Sequence, residues 1–444
     1  MGDAENKGQG DVDVSLFNVI SSNGKQLKDL APKAWNSITI TESMGLLSGD
    51  TKFISGHVTI NDKVDIFNEM SLIGDEIVEI KFRTPQKEGV DFVGRVYNVS
   101  VNRPNKDTRI ITLRFCSTEK ITSDQLKMNR AYRNVKYSDM AKDIFTPFVD
   151  IGGKKIYAEE TINRGSIILN NKSPIAALDM IAKVSVSSLY RGSSYIFFET
   201  HKPLPMDAKQ GNQEGIFQFA SLESLIDPEV VKPSITYVMD PPSGKKNDIR
   251  KLVGIKQYKV LNLPNTVGNI KNGMYSGTVV SNDLMKRKIE YNTFNYNEEY
   301  KNFKSVNFNS VNGKETSLIN NKTYGKRDKS FLKFVPKHYG SFSTQSNYLD
   351  DRALTILRRN SQLRQINAVR LQLIVSGDSQ RRAGEIVEVK IPAMEEGTGK
   401  LDALLSGRYL ISKVMHNISS VDNEYNTSME LIKDSFANPL PEKA

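Results

Sequence analysis

The sequence predicts a mainly β chain with an α/β insertion, built around two similar β domains. Three observations predict this. The first third alternates apolar and polar residues with a period of two. The middle carries helical spacing. Near the end, the strand pattern of the first third returns.

In the first third, Val78, Ile80 and Phe82 alternate with Glu79 and Lys81, which places one apolar face on a strand. Phe92 to Val101 follows, with Val93, Tyr97, Val99 and Val101 expected on one side. Arg103 to Asp107 has turn composition, and Ile111, Leu113 and Phe115 alternate again. Short strands separated by turns predict a barrel or a sandwich over 14–120. Residues 1–13 are polar and acidic with Gly2, Gly8 and Gly10. They lack the basic and apolar regions of a secretory leader and are expected to form a mobile arm.

After Cys116 the texture changes. Ser138 can cap a helix carrying Met140, Ala141, Ile144 and Phe145, which Pro147 is expected to stop. Ser173 and Pro174 open a second helix with Ile175, Leu178, Ile181 and Ala182 as its stripe. A hairpin is expected at Tyr195 to Thr200 and Gly215 to Phe219. Residues 121–200 therefore form the α/β domain.

The chain has a formal charge of +10, and its location is informative. Residues 245–335 hold 18 Lys/Arg against 7 Asp/Glu, and 15 Asn. That segment nets +11, so the rest of the chain is close to neutral. It lacks a clear period and is expected to be a loop-rich or irregular basic insertion. It either docks on an acidic surface of another protein or is a solvated decoration. A linking helix over 348–366 follows, starting at Asn347 with Asp350 and Asp351 in its first turn and a stripe of Leu349, Ala353, Ile356, Leu357 and Leu363. Val369, Leu371, Leu373 and Val375 then alternate. The second β domain is expected over 201–244 and 336–435, with a loose tail at 436–444.

The two β regions match in order. Gly74 to Phe82 reads GDEIVEIKF and Gly384 to Ile391 reads GEIVEVKI. With one residue removed after the glycine, Glu76 matches Glu385, Val78 matches Val387, Ile80 matches Val389 and Phe82 matches Ile391. The outward pair Glu79 and Lys81 matches Glu388 and Lys390; these four charges are the candidate interface residues. Gly94 lies 20 residues after Gly74, and Gly407 lies 23 after Gly384. A closing strand follows at Leu113 and at Leu431. Glycine before a strand permits the bend by which the chain enters a sheet. The order of three strands points to an internal duplication.

Other classes find little support. One cysteine, Cys116, forbids an intrachain disulfide and a cysteine-cluster metal site. It is expected to be a small core side chain. His57, His201, His338 and His416 are far apart, with no metal-binding pair among neighbours in sequence. No cofactor motif, GxSxG or P-loop occurs. Glu159 and Glu160 are adjacent, unlike the spaced carboxylates of a glycosidase. Trp35 is the only tryptophan for sugar stacking. No catalytic, cofactor or metal residue is assigned. A cell-wall-degrading or carbohydrate-binding module is the rival reading.

Several stretches in sequence order resemble the baseplate central hub family of contractile-tailed phages, and the related hub part of type VI secretion valine-glycine repeat spikes. They are Ser55 to Ile60, Leu72 to Phe82, Phe92 to Tyr97, Lys172 to Ala182, Tyr195 to Thr200, Phe217 to Leu222, Gly377 to Glu385 and Gly407 to His416. The resemblance implies two tube-type β-barrel domains per chain and a homotrimeric ring. It implies a tail tube or tube-adaptor protein as partner above, and a central spike protein below. The basic insertion 245–335 departs from the family's minimal pattern; its docking on other baseplate proteins is an expectation from its charge alone. DNA would be only non-specific cargo in the axial channel. It further implies a non-enzymatic virion protein of the tail baseplate, assembled in the bacterial host cytoplasm, with no membrane segment.

Overall fold

The computed structural model describes residues 12–27, 35–47, 49–85, 87–106, 108–152, 154–204, 216–239, 253–283, 287–299, 303–307, 309–310, 331–337, 352–394, 400–422 and 424–437. Most of the expected N-terminal arm and C-terminal tail, and the start of the linking helix, fall outside these residues.

The alternating first third forms six long strands, β1 (Asp13–Ile20), β2 (Trp35–Ser43), β3 (Ser55–Asp62), β4 (Ile77–Arg83), β5 (Val90–Asn102) and β6 (Arg109–Ser117), beside the two-residue strand Gln26–Leu27 that pairs with β1. Their spatial order is β1-β4-β5-β6-β3-β2, antiparallel throughout. Phe17, Trp35, Val58, Val78, Ile80, Phe82, Leu113 and Phe115 fill the inside. Each such buried side chain contributes roughly 1.5–3 kcal/mol. No ladder joins β1 to β2 among the described residues. Phe17 and Trp35 instead pack edge to face there, 6.4 Å apart. Among the described residues the first unit is thus a curled six-stranded sheet without the closing ladder of a barrel.

The α/β unit contains β7 (Met128–Lys136), α1 (Tyr137–Gly152), β8 (Ile156–Ala158), β9 (Arg164–Lys172), α2 (Pro174–Ala182), β10 (Tyr195–Glu199) and β11 (Phe217–Ser221). Met140, Ala141, Ile144 and Phe145 are fully buried, as their spacing predicts. Pro147 does not stop α1. Proline leaves the carbonyl four residues back without its helical donor, and Arg130 Nη1 donates to that carbonyl, of Asp143, at 3.0 Å. Ser173 caps α2, accepting from Ala176 N at 3.4 Å. β10 and β11 pair antiparallel as expected, but β11 also pairs parallel with β8. Residues 217–221 therefore belong to this unit and not to the second β domain.

The expected basic insertion contains two different things. β12 (Thr236–Met239) precedes it and β13 (Gly254–Asn262) lies inside it, yet β13 is a strand of the second barrel. After β13, three strands form a small sheet: β14 (Ser276–Asp283), β15 (Lys288–Asn295) and β16 (Leu332–Lys337). Its core of Val279, Phe294 and Tyr296 packs on Leu357, so the segment is more regular than its composition predicts. Leu357 lies on α3 (Arg352–Ile366), the linking helix.

Of the described stripe residues, Leu357 is buried but Ile356 and Leu363 are only partly so. The buried face of α3 is largely polar: Ser361, Gln362 and Gln365 lie there. Ser361 Oγ donates to Met274 O at 2.7 Å, and Gln365 Nε2 to the Tyr296 hydroxyl at 2.7 Å. Gln362 Nε2 donates to Glu223. Burial pushes the Glu223 carboxyl up to about 7, and its Oε2 has no hydrogen-bond partner. A raised carboxyl binds its proton more tightly folded than unfolded. Its contribution is therefore complete below the ordinary value near 4.5 and is lost as pH rises towards 7. Glu223→Gln is expected to stabilise the chain at pH 8, by up to about 3 kcal/mol, and to change little at pH 4.5. Thermal melts at both values check this.

The second β unit adds β17 (Val369–Ser376), β18 (Ile386–Lys390), β19 (Gly407–Ser419) and β20 (Glu424–Lys433). The order β12-β18-β19-β20-β17-β13 closes on itself, because β13 pairs with β12. This is a closed six-stranded barrel around Tyr237, Leu371, Leu373, Val387, Val389, Tyr409, Ile411 and Leu431. No helix among the described residues is long and apolar enough to cross a membrane.

Candidate assembly interface

The two β units have the same spatial order of strands when each is counted in chain order. Local irregularities recur too. Between β5 and β6 the register shifts between Val96 and Asn98; between β19 and β20 it shifts between Ile411 and Lys413. Between β2 and β3 it shifts between Trp35 and Ser37; between β13 and β17, between Ile255 and Gln257. Bulges insert a residue and bend a strand, so each pair of bulges bends corresponding strands at corresponding points. One difference is direction: β1 runs antiparallel to β4, whereas β12 runs parallel to β18.

The predicted repeat residues fall at strand entries and on inner faces. Gly74 and Gly384 both have positive φ, 101° and 90°, a conformation that favours glycine. Glu76 and Glu385 follow, both buried. Glu76 O accepts from Val96 N at 2.8 Å and Glu385 O from Ile411 N at 2.9 Å. Val78, Ile80 and Phe82 point inward, as do Val387, Val389 and Ile391. The second glycines are offset: Gly94 faces Val78, whereas Gly407 faces Val389 and Tyr409 faces Val387. In the frame that matches Val78 with Val387, Gly407 lies two residues before the place of Gly94.

The four candidate charges lie on outer faces with partners inside the chain. Asn18 Nδ2 donates to Glu79 at 3.1 Å. Lys81 pairs with Asp91 at 2.7 Å, and that hydrogen bond raises the lysine pKa. Thr236 Oγ1 donates to Glu388 at 2.8 Å, and Lys390 lies 3.9 Å from the same carboxylate. Exposed pairs of this kind are screened by solvent and add little to stability.

The chain's two long strands differ in what covers their second halves. In β19, Val389 to Ile386 of β18 cover Gly407 to Leu410. Beyond the bulge, β2 of the first unit takes over, pairing Ser43 to Ser37 with Lys413 to Ser419. In β5, β4 covers Val90 to Arg95. Beyond its bulge, Tyr97 to Asn102 has β6 on one side and no strand on the other among the described residues. Conversely, β2 is covered on both sides, but β13 is paired with β12 only at Gly254 and Ile255. Its edge from Lys256 to Asn262 carries no second ladder among the described residues.

Apolar side chains stand exposed among polar ones on these two half-free edges. Tyr97 and Val101 of β5 are 54 and 44% exposed, and Val260 and Leu261 of β13 are both 36% exposed. The sequence places Val93, Tyr97, Val99 and Val101 on one apolar face. The structure buries Phe92 and Val96 and turns Val93 and Tyr97 outward; the bulge at Val96 to Asn98 then switches the alternation, so that Val99 and Val101 lie on the face of Leu113 and Ile111, their partners on β6. An uncovered apolar strand edge is a template for pairing.

Two histidines treated as separate packing residues in the sequence meet in the structure. His201, two residues past β10, and His416 of β19 have ring centres 6.1 Å apart, and Glu42 of β2 lies beside both. No spacing signal could have revealed this, since three units supply the three residues. Cys116 is buried as expected, and burial pushes its thiol up to about 11.

No family model matches the chain, and no curated protein matches it. Solved structures do. The tail protein from Neisseria meningitidis MC58 aligns over 94% of this chain and 96% of its own, with a TM-score of 0.53 and 12% identity. The 43 kDa tail protein of prophage MuSo2 from Shewanella oneidensis aligns over 95% and 99%, with a TM-score of 0.51 and 11% identity. The chain has the fold of these two tail proteins, as its resemblance to baseplate central hubs implied.

Proposed function

We propose that this chain is a structural tail protein whose copies join edge to edge into a ring, the hub between a tail tube and a spike. The observation that carries the reading is the pair of half-free edges on β5 and β13. Within the chain, β2 pairs with β19 across the two units. β13 stands in the second unit where β2 stands in the first, and β5 stands in the first where β19 stands in the second. Repeating the internal contact between copies therefore sets β13 of one chain antiparallel to β5 of the next. The register carries over: Val260 opposite Val101, and Lys259 opposite Asn102.

Three chains then supply six similar β units around an axis, which matches a six-fold tube above and a three-fold spike below. Such head-to-tail contacts close by cyclic symmetry. The shared strand order and recurring bulges support descent of the two units from one duplicated module. On this reading the protein works by geometry and not by catalysis, leaves an axial channel for DNA, and resides in the virion tail after assembly in the host cytoplasm. Gly74, Gly94, Gly384 and Gly407 with the inward valines, Ile80, Phe82 and Ile391 maintain the repeated fold. Glu79, Lys81, Glu388 and Lys390 decorate the ring's outer faces. The basic small sheet after β13 offers docking to an acidic baseplate protein.

Light scattering on the purified protein tests the ring. A mass of three chains of 49.9 kDa is expected, and a concentration-independent single-chain mass would remove the proposal.

A further inference from the structure

We propose that Glu42, His201 and His416 bind one divalent transition-metal ion, with zinc as the best match to their donor atoms. The site lies where the first sheet, the α/β unit and the second barrel meet. β2 supplies Glu42, whose backbone partner on β19 is Val414. His416 lies two residues further along β19 on the same face, and His201 enters from the end of β10.

The three residues each present a donor atom, and these atoms lie within 4.8 Å of one another. All three side chains are buried: those of His201 and Glu42 are 1% and 0% exposed, and His416 is 1% exposed. A tetrahedral zinc site with bonds of about 2.0–2.2 Å needs donors roughly 3.3 Å apart. Side-chain rotation can close that gap.

The hydrogen bonding points the same way. His201 Nδ1 contacts Glu42 Oε1, and His416 Nδ1 lies 2.9 Å from the Tyr425 hydroxyl. The Nε2 atom of His201 is buried without a hydrogen-bond partner. Buried polar atoms are nearly always satisfied, and a bare imidazole nitrogen in a cluster of donors calls for an occupant. Tyr425 would fix the ring of His416, and Ala383 N, 3.4 Å from Glu42 Oε2, would steady the carboxylate. Such outer contacts orient metal ligands. Two imidazoles and one carboxylate favour zinc and its neighbours over magnesium or calcium, which prefer oxygen donors. Three protein ligands leave a fourth position for water. The ion would tie three units together at one point. The site does not depend on the ring reading.

The test is elemental analysis of the untagged full chain, purified without chelator, followed by chelator treatment and titration with Co²⁺. About one zinc per chain is expected as purified, together with the visible absorption of four-coordinate Co²⁺ after exchange. His201→Gln and His416→Gln are each expected to weaken Co²⁺ binding at least tenfold, while His57→Ala leaves it unchanged. A wild-type chain that carries no metal and gives no Co²⁺ absorption would overturn the proposal. So would Gln variants that bind as wild type. If the variants fail to fold, the wild-type measurement decides alone.

Discussion

A chain carrying Val101→Lys is expected to run as a single copy where the unaltered chain runs as three. Val101 lies on the uncovered half of β5 and is 44% exposed in one copy. In the proposed ring it sits opposite Val260, itself 36% exposed. Placing an ammonium there puts an unpaired charge in a sealed strand pair, at a cost of several kcal/mol per contact. Val260→Glu alone is expected to dissociate the ring as well. Together, Val101→Lys and Val260→Glu place opposite charges face to face and are expected to recover much of the assembly, because opposite cross-strand charges attract. Circular dichroism should be unchanged throughout, since neither side chain is in a core. Recovery in the double variant would fix the register as well as the strands. Dissociation in both single variants without recovery would keep the edges and discard the register.

The second large effect concerns the seam between the first sheet and the α/β unit. Lys154 Nζ lies 2.9 Å from Glu119 and 2.8 Å from Glu199, whose side chains are 3% and 0% exposed. Glu199 Oε2 also accepts from Ile54 N at 3.0 Å, which ties β10 to the first unit. Burial raises the Glu199 carboxyl pKa despite Lys154 beside it. Burial also opposes the lysine's charge, but the two carboxylates win and raise its pKa. Its contribution is therefore fully present at neutral pH and fades only in strong alkali. Lys154→Met leaves two buried carboxylates facing each other and is expected to cost about 3–5 kcal/mol. Denaturant unfolding at pH 7 should show the loss. The deficit should shrink as pH falls and Glu199 takes up a proton. An unchanged midpoint at pH 7 would mean that water already carries these charges.

Much of the β architecture was legible because alternation is a direct imprint of a half-buried strand. Val78, Ile80 and Phe82 face inward as their spacing predicts, as do Val387 and Val389. Glu76 and Glu385 were legible as a match, though not as buried residues. The bulges were not legible, and they cost the most. One inserted residue near Val96 splits the expected single face, leaving Val93 and Tyr97 outside and Val99 on the inner side. β13 was hidden because Lys256, Gln257 and Lys259 give its sequence the look of a loop, although its Ile255 enters the barrel core. Helix α1 outran Pro147 because a distant arginine satisfies the freed carbonyl. The polar buried face of α3 has no apolar stripe to detect, since hydrogen bonds rather than hydrocarbon hold it. The Glu42, His201 and His416 cluster depends on chain segments hundreds of residues apart, and only the fold brings them together.

Averaged electron micrographs of the purified protein viewed down its axis decide whether its copies form the ring. An annulus with three-fold symmetry, six similar lobes and an open centre is expected. A particle with a filled axis, or with lobes that do not alternate between two kinds, would contradict it.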